Sequence, residues 1–367
     1  MREIAIYVHI PFCKQKCAYC DFCSFCANEK KIEEYFAILK NEIKKCKLKK
    51  DILVSSIYFG GGTPTSVDEK FINETIKTIK SEFAVQQNAE ITIECNPCST
   101  TKDKLKAYLN EGFNRISFGV QTLNDEVLKT IGRLHNSTEA INAIKLAKEV
   151  GFENVSCDLM IGLPNQREED LVYAINKFNE LDVNHISSYM LQLEEGTPLY
   201  NKVKKGEVKI PSEEEQVSMY ELAVSYLKEL GYEQYEVSNF AKNKTYSKHN
   251  LNYWRREEYL GFGLSAHSFI NETRYANSNK IEEYKLGKIA LKETLTKKEI
   301  AEELIMLGLR YFEGIDLSKL SQIDKKLTAK IKQSRYVKEG IINLKNEKAI
   351  LEPRYYSINN EIIVNLI

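Results

Sequence analysis

Short apolar segments rich in β-branched residues alternate with longer amphipathic segments through the first half of the chain. The apolar segments predict six β-strands, at Ile4–His9, Ser56–Phe59, Glu90–Glu94, Arg115–Val120, Asn154–Ile161 and His185–Leu193. The amphipathic segments predict helices, including Glu33–Lys47, Glu69–Phe83, Thr138–Val150 and Glu168–Leu181. Such alternation is typical of βα units on a parallel sheet. Because six units are fewer than a closed barrel contains, we expect an α/β fold with a partial (β/α)6 barrel.

The end of the chain has a different pattern. Thr296 precedes an amphipathic segment, and Glu299 follows three residues later, which predicts a helix opened by a capping box. Further helical patterns lead to two apolar runs, which predict a hairpin around Lys345–Lys348. Helices followed by a hairpin indicate a small α+β, winged-helix-like domain. We therefore predict a barrel, a connecting region and this C-terminal domain, over residues 1–235, 236–294 and 295–367.

Charge and composition narrow the classes of function. The 52 Lys plus Arg residues equal the 52 Asp plus Glu residues, so no net charge attracts nucleic acid or an acidic membrane. The last domain has no concentrated basic face of the kind that binds DNA, and we expect no nucleic-acid partner. We find no secretory leader and no apolar run that could span a bilayer. We therefore expect a cytoplasmic protein.

Five of the nine cysteines lie between Cys13 and Cys26. Disulfides are rare in the cytoplasm, so this crowding indicates a metal centre. Cys13, Cys17 and Cys20 form a C-x3-C-x2-C array directly after the first predicted strand. Three thiolates at this spacing can hold three irons of a 4Fe–4S cluster and leave the fourth iron open to a small molecule.

Two other metal centres have to be weighed against this one. Zinc prefers two separated pairs of ligands, and no second pair follows at the usual distance. The series Cys17, Cys20, Cys23 and Cys26 is close to the bacterial ferredoxin pattern. A ferredoxin, however, needs neither a large α/β body nor the glycine-rich segment described next.

Polar and glycine-rich segments follow the ends of the first five predicted strands. Because the carboxyl ends of parallel strands meet at one edge, we expect these segments to converge. Glycines let the backbone approach a ligand closely, and Arg133 can bind a carboxylate in bidentate fashion. Glu94 can meet a cationic amine or a ribose hydroxyl, while Gln121 and Asp158 can hydrogen-bond hydroxyls. The segments are the cysteine array, Gly60–Pro64, Glu94–Pro97, Gly119–Gln121 and Asp158–Pro164.

In this order the motifs resemble those of the anaerobic coproporphyrinogen oxidase branch of the radical S-adenosylmethionine (SAM) proteins, over nearly the whole chain. The resemblance implies a radical-SAM barrel whose 4Fe–4S cluster is bound by Cys13, Cys17 and Cys20, with SAM completing the coordination. It also implies SAM contacts from eight residues, namely Tyr7, Gly61, Gly62, Thr63, Glu94, Gln121, Arg133 and Asp158.

That branch contains true oxidases and the heme chaperones of the HemW group, and three features favour the chaperones. Oxidases carry another Cys two places after the third ligand, where this chain has Phe22. Oxidases also carry an extension before the first strand, which we expect to be absent here. The segment His249–Trp254 matches the H-N-x-x-Y-W motif associated with heme in the chaperones, and Gly261–Ser268 is also similar. One departure is Cys23, which stands where the chaperones usually have a polar residue.

The resemblance therefore implies a heme chaperone that binds the cluster, SAM and heme and transfers heme to an acceptor such as a respiratory hemoprotein. Imidazole is a common axial ligand of heme iron, so we predict His249 as the heme ligand, with Tyr253 and Trp254 beside it. His9 and His267 are further histidines that could face the barrel mouth. The alternative is an oxygen-independent coproporphyrinogen III oxidase, which decarboxylates propionates in porphyrin biosynthesis. Homodimerisation and peripheral membrane contact through a partner stay open.

Overall fold

The fold is known from a computed structural model that describes residues 1–367. Six parallel strands form its centre, and each pairs with the next one along the chain. They are β1 (Arg2–Ile10), β2 (Ile52–Gly61), β3 (Ala84–Cys95), β4 (Arg115–Gln121), β5 (Asn154–Ile161) and β6 (His185–Met190). The predicted fold class is confirmed, since every predicted strand is present and the sheet does not close.

Helices connect these strands and cover the outer face of the sheet. They are α1 (Glu29–Lys45), α2 (Glu69–Glu82), α3 (Lys102–Asn110), α4 (Asp125–Thr130), α5 (Ser137–Val150), α6 (Glu168–Glu180), α7 (Pro198–Lys204) and α8 (Glu213–Glu229). The predicted start of α1 was wrong by four residues, because Asn28 caps the helix by accepting a hydrogen bond from the Lys31 amide. None of the helices has the length and apolar content that a membrane span requires.

The sheet continues past both ends of the six-stranded unit, which the sequence did not predict. Beyond β6 lie two short antiparallel strands, and beyond β1 lie one parallel strand and three antiparallel ones. The added elements are β7 (Glu233–Gln234), β8 (Asn239–Ala241), α9 (Lys248–Trp254), β9 (Tyr259–Phe262), β10 (His267–Ile270), β11 (Thr273–Asn277), α10 (Ile281–Lys285) and β12 (Ile289–Thr294). The strands of the connecting region thus belong to the same sheet as the barrel strands.

Alternation along the strands separates an apolar outer face from a polar inner face. On β1, the side chains of Ile4, Ile6 and Val8 pack in the main hydrophobic core beneath the outer helices. The intervening Tyr7 and His9 face the inside of the barrel, where their side chains hydrogen-bond to each other. Function is therefore expected on the inner face and at the carboxyl ends of the strands.

The C-terminal residues build a second, smaller core of their own. Its elements are α11 (Lys297–Gly308), β13 (Ile315–Asp316), α12 (Leu317–Ile323), α13 (Lys325–Gln333), α14 (Arg335–Lys338), β14 (Ile342–Lys345), β15 (Lys348–Leu351) and α15 (Asn359–Leu366). The capping box of Thr296 and Glu299 and the hairpin are confirmed. Buried Arg256 joins this domain to the sheet, because its Nε donates to Glu303 at 2.6 Å and its other nitrogens bind Glu272.

Two glycines of the small domain allow a matched test of its packing. Gly314 and Gly340 have similar φ angles, +74° and +71°, but a Cβ on Gly314 would lie 2.5 Å from the Ala349 oxygen, whereas Gly340 faces open space. Both Ala variants bear the left-handed backbone cost of about 1–2 kcal/mol. Because of the additional clash, we expect Gly314→Ala to lower the free energy of unfolding of this domain by about 1–3 kcal/mol more than Gly340→Ala does. Hydrogen exchange at the Ile315 and Leu351 amides measures this difference. Equal losses of stability in the two variants would contradict the predicted clash with Ala349.

Candidate functional site

The carboxyl ends of β1 to β5 meet around a cavity of about 130 Å³. The structure brings together ten of the eleven residues predicted for the cluster and SAM. They line this cavity, and they are Cys13, Cys17, Cys20, Gly61, Gly62, Thr63, Glu94, Gln121, Arg133 and Asp158. The eleventh, Tyr7, lies deeper in the barrel, where its ring stacks on Tyr58 with the centroids 6.2 Å apart.

The cysteine loop after β1 is held to the barrel by its backbone. The Cys13 amide donates to the Phe25 oxygen at 3.1 Å, and the Phe25 amide donates to the Pro11 oxygen at 2.8 Å, which closes the loop at its base. The Ala18 amide donates to the Ile131 oxygen at 2.9 Å, which fixes the middle of the loop over the cavity. The loop therefore presents its thiols from a fixed backbone.

The donor set fits an iron–sulfur cluster better than a single metal ion. Cys13, Cys17 and Cys20 are free, half-buried thiols, and no group of three or more His, Cys, Asp or Glu side chains is arranged to hold one ion. A 4Fe–4S cluster takes one thiolate per iron, so its ligands do not converge on one point. The Arg133 Nη1 atom lies 3.4 Å from the Cys17 sulfur and ties the far wall of the cavity to the cysteine loop.

Glu94 is a half-buried carboxylate on the cavity wall. Its Oε1 accepts a hydrogen bond from the Tyr58 hydroxyl at 2.8 Å, and its Oε2 accepts from the Gly61 amide at 3.1 Å. Burial, reinforced by the charge of Asp158, raises the pKa of Glu94 to about 7. Glu94 thus changes its charge near neutral pH, and a bound cation would stabilise the charged form.

Gly61 shows why a glycine is needed beside the cysteine loop. Its φ is +111°, a conformation that other residues rarely adopt, and a Cβ there would lie 2.5 Å from the His9 ring. The neighbouring Thr63 hydroxyl lies 3.5 Å from the Cys13 sulfur. The backbone after β2 therefore forms a wall of the cavity directly beside the cluster ligands.

The opposite wall carries groups suited to hydroxyls and to a carboxylate. Asp158 is held by the Ser117 hydroxyl at 3.4 Å, and burial raises the pKa of its carboxyl to about 6. Gln121 has a φ of +73° and accepts a hydrogen bond from the Tyr189 hydroxyl at 3.2 Å. The Arg133 Nε atom is buried without a hydrogen-bond partner. An unpaired buried donor costs about 1–3 kcal/mol, so this guanidinium fits an anionic ligand such as a carboxylate.

The predicted heme ligand His249 does not fit iron ligation in this conformation. Its side chain is only 1% exposed, its Nδ1 pairs with the Ser56 hydroxyl at 2.9 Å, and its Nε2 pairs with the Tyr253 hydroxyl at 2.9 Å. An axial ligand needs a nitrogen lone pair that faces the heme. The ring instead stacks on Tyr58, with centroids 5.0 Å apart, and so supports the side chain that donates to Glu94.

The other histidines divide into three buried ones and one exposed one. The buried rings all have hydrogen-bond partners on both nitrogens, and they are His9, His135 and His185. His267 is exposed and lies at the start of β10. His9 faces the inside of the barrel, but both of its ring nitrogens already have partners, the Tyr7 hydroxyl and the Cys23 carbonyl oxygen.

Sequence reasoning missed Tyr58, Ser117 and Tyr189, which hold the predicted site residues in place. Each lies on a barrel strand and alternates with core residues, as Tyr58 does between Ile57 and Phe59. The inward positions of a strand can be predicted once its outward positions are known, because side chains alternate between the two faces. That alternation was the signal that could have identified them.

Comparison with known proteins first defines the class. A family model of the radical SAM superfamily matches residues 7–178, and a model of the HemN C-terminal domain matches residues 295–354. The solved structure of coproporphyrinogen III oxidase (HemN) from Escherichia coli covers 100% of this chain and 90% of its own, with a TM-score of 0.85 and 24% identity, which shows the shared fold. The fold and the site thus define a radical SAM protein, and this class implies SAM and a 4Fe–4S cluster.

Curated relatives narrow the class to a family. The chain is 38% identical to the heme chaperone HemW of Bacillus subtilis, over 86% of each protein. It is 34% identical to the heme chaperone HemW of Lactococcus lactis, over 95% of this chain and 91% of that protein. It is also 33% identical to the mitochondrial radical S-adenosyl methionine domain-containing protein 1 of Danio rerio, over 85% of this chain and 74% of that protein. The chain belongs to the HemW heme chaperone family.

The raised pKa of Glu94 generates a test of the predicted SAM contact. The carboxyl is protonated below pH 7 and charged above it, so SAM, which carries positive charge, should bind more tightly as pH rises through 7. Glu94→Gln should remove this pH dependence and weaken binding about 10-fold above pH 7, since a charge-assisted hydrogen bond contributes about 1.5–3 kcal/mol.

Calorimetric titration of the cluster-loaded protein with SAM, below and above pH 7, measures both effects. The exposed Glu153→Gln serves as the matched control and should keep the pH dependence of the unaltered chain. If Glu94→Gln retained that dependence, another group would be responsible for it.

Proposed function

We propose that this protein is a heme chaperone, which binds a 4Fe–4S cluster, SAM and heme and passes heme to an acceptor such as a respiratory hemoprotein. The observation that carries the proposal is the 38% identity to a heme chaperone over 86% of both proteins. A heme-accepting protein is then the partner, and heme is cargo that has to enter and leave the chain intact.

We assign the cluster to the three cysteines of the loop and SAM to the cavity beside them. When bound, the cluster supplies one-electron chemistry at its SAM-coordinated iron. Glu94 would accept a hydrogen bond from a SAM amine or hydroxyl, and the unpaired Arg133 Nε would donate to its carboxylate. Gly61 lets the backbone approach the ligand, and Tyr58 keeps the Glu94 carboxylate aimed at it. The site residues thus have distinct roles in binding and orientation.

Phe22 supports the chaperone over the oxidase alternative. In the cysteine motif of this branch, the residue at this position separates the oxidases, which carry a Cys, from the chaperones. In this chain the Phe22 side chain is 65% exposed and lines the mouth of the SAM cavity. An apolar ring at that place cannot provide a further thiolate. The likeness to HemN at 24% identity concerns the fold and gives no argument for oxidase activity.

A paired assay of one anaerobically reconstituted sample tests the proposal. Heme titration followed by Soret absorbance should reach about one heme per chain, since a chaperone holds its cargo stoichiometrically. The same sample, given coproporphyrinogen III, SAM and a reductant, should form no protoporphyrinogen, because chaperone function requires no substrate turnover.

Two variants make the outcome specific. Cys20→Ser should lose the iron–sulfur absorbance, whereas Cys26→Ser, on the exposed side of the same loop, should keep it. Sustained conversion of the porphyrinogen without heme uptake would overturn the chaperone proposal and establish the oxidase.

A further inference from the structure

Arg115 is a cation inside the barrel that does not line the SAM cavity. It lies on β4, and only 2% of its surface is exposed. In the register of the sheet it stands between Thr92 of β3 and Asn154 of β5. Side chains two residues apart share one face of a strand, so the next inward position above Arg115 is Ser117. Because a guanidinium keeps its charge in proteins, the interior of the barrel contains a permanent positive charge.

No acidic side chain contacts this buried charge. The one side-chain hydrogen bond of Arg115 runs from its Nη2 to the Nδ1 of His185, at 3.2 Å. Its Nε is buried without a hydrogen-bond partner, and so is the hydroxyl of the adjacent Thr92. Burial, reinforced by Arg115, lowers the pKa of His185 well below its usual value, so that ring stays neutral. A buried charge without a contacting partner is costly, and opposite charges further away have to stabilise it.

The opposite charges nearest along the strands are the two carboxylates of the SAM cavity. Glu94 lies opposite Ser117 in the register of β3 and β4, and Asp158 accepts from the Ser117 hydroxyl at 3.4 Å. One inward step along a strand spans about 7 Å, a distance at which charges attract strongly inside a protein. Burial raises the pKa of both carboxyls, and the charge of Arg115 opposes that rise in each of them.

The other groups that face the carboxylates leave Arg115 as the cation beneath them. Arg133 lies at the rim, where it bonds the Gly119 oxygen and the Cys17 sulfur. Glu90 is occupied by the amides of Lys248 and His249, at 3.1 Å each. The remaining titratable side chains stay neutral, because burial raises the pKa of the tyrosines and lowers that of the histidines. They are Tyr7, Tyr19, Tyr58, Tyr189, Tyr235, His185 and His249.

We propose that Arg115 is a positioning residue for SAM binding, and that its buried charge keeps Glu94 and Asp158 ionised where the positive charge of SAM binds. This inference rests on the SAM site of the proposed function and adds a residue that does not touch the ligand. Without Arg115, each carboxylate would face the negative charge of the other in a half-buried wall. Both would take up protons more readily and lose their attraction for a cationic ligand.

Calorimetric titration of the cluster-loaded protein with SAM tests the inference. Arg115→Gln removes the charge but keeps a donor for His185, so it should move the rise of affinity with pH up by about one pH unit and weaken binding at pH 7 about 10-fold. Arg115→Lys keeps the charge and should restore the pH dependence of the unaltered chain. Arg354→Gln, at an exposed position of the C-terminal domain, is the matched control and should change neither property.

A double substitution separates this electrostatic role from a loss of packing. In a Glu94→Gln background, Arg115→Gln should weaken SAM binding less than it does in the unaltered chain, because one of the two carboxylates is gone. Equal losses in the two backgrounds, or an unmoved pH dependence in Arg115→Gln, would overturn the inference.

Two measurements cover the failure of SAM binding and of folding. The infrared band of protonated carboxyls, taken as the difference between the chain and Glu94→Gln, follows Glu94 without SAM, and Arg115→Gln should raise its midpoint by about one pH unit. If the unaltered chain bound no SAM, the proposed SAM site would fail, whereas the action of Arg115 on Glu94 would fail only if this midpoint did not move. If Arg115→Gln did not fold, the midpoint of the unaltered chain should be the same at low and high salt, because salt screens buried charges little. A midpoint that moved with salt would assign the effect to exposed charges and overturn the inference.

Discussion

The parallel pairing of β1 to β5 is the constraint on which the site depends. Strands that run in one direction must end at one edge, so loops far apart in the chain meet there. The register of β1 and β2 pairs Ile10 with Gly61, which places the cysteine loop beside the glycine-rich segment. A shift of one residue would turn every inward side chain of a strand toward the core. The apolar outer face of the sheet therefore also fixes the geometry of the polar inner one.

Beneath the cavity, polar side chains in contact with one another link the connecting region, residues 236–294, to the site. His249 pairs with Ser56 and stacks on Tyr58, and Tyr58 donates to Glu94. Burial lowers the pKa of His249 to about 3, so this ring stays neutral and adds no charge next to the carboxylate. At the base of α9, Glu90 accepts from the amide of His249 and holds the helix inside the barrel. His249 thus supports the Tyr58 side chain that donates to Glu94.

The six barrel strands could be predicted from the sequence because each is a distinct apolar run. The convergence of the motifs on one cavity could be predicted because each motif directly follows such a run, and parallel strands end at one edge. The sequence could not predict β9 to β12, where strands of four to six residues alternate with glycine and polar turns and carry no distinct period. The orientation of His249 could not be predicted from the sequence either, since the pattern of a seven-residue helix does not indicate which side faces the barrel. Contacts made across the sheet, such as the pair with Ser56, decide that orientation.

The inner cavity and a second cavity, which lies between α1 and the strands β9 to β11, differ in the physical properties that decide their ligands. The inner one, of about 130 Å³, is bounded by backbone and by half-buried carboxylates, and the Gly61 backbone lies so close to the His9 ring that no Cβ fits between them. The second one, of about 420 Å³, has a lining of which half is hydrophobic. A polar, cationic ligand meets two carboxylates in the first cavity, whereas an apolar ligand would lose more of its surface from water in the second. The inner cavity, with its carboxylates and the Arg133 guanidinium, therefore has the polar groups that the SAM site proposed here requires.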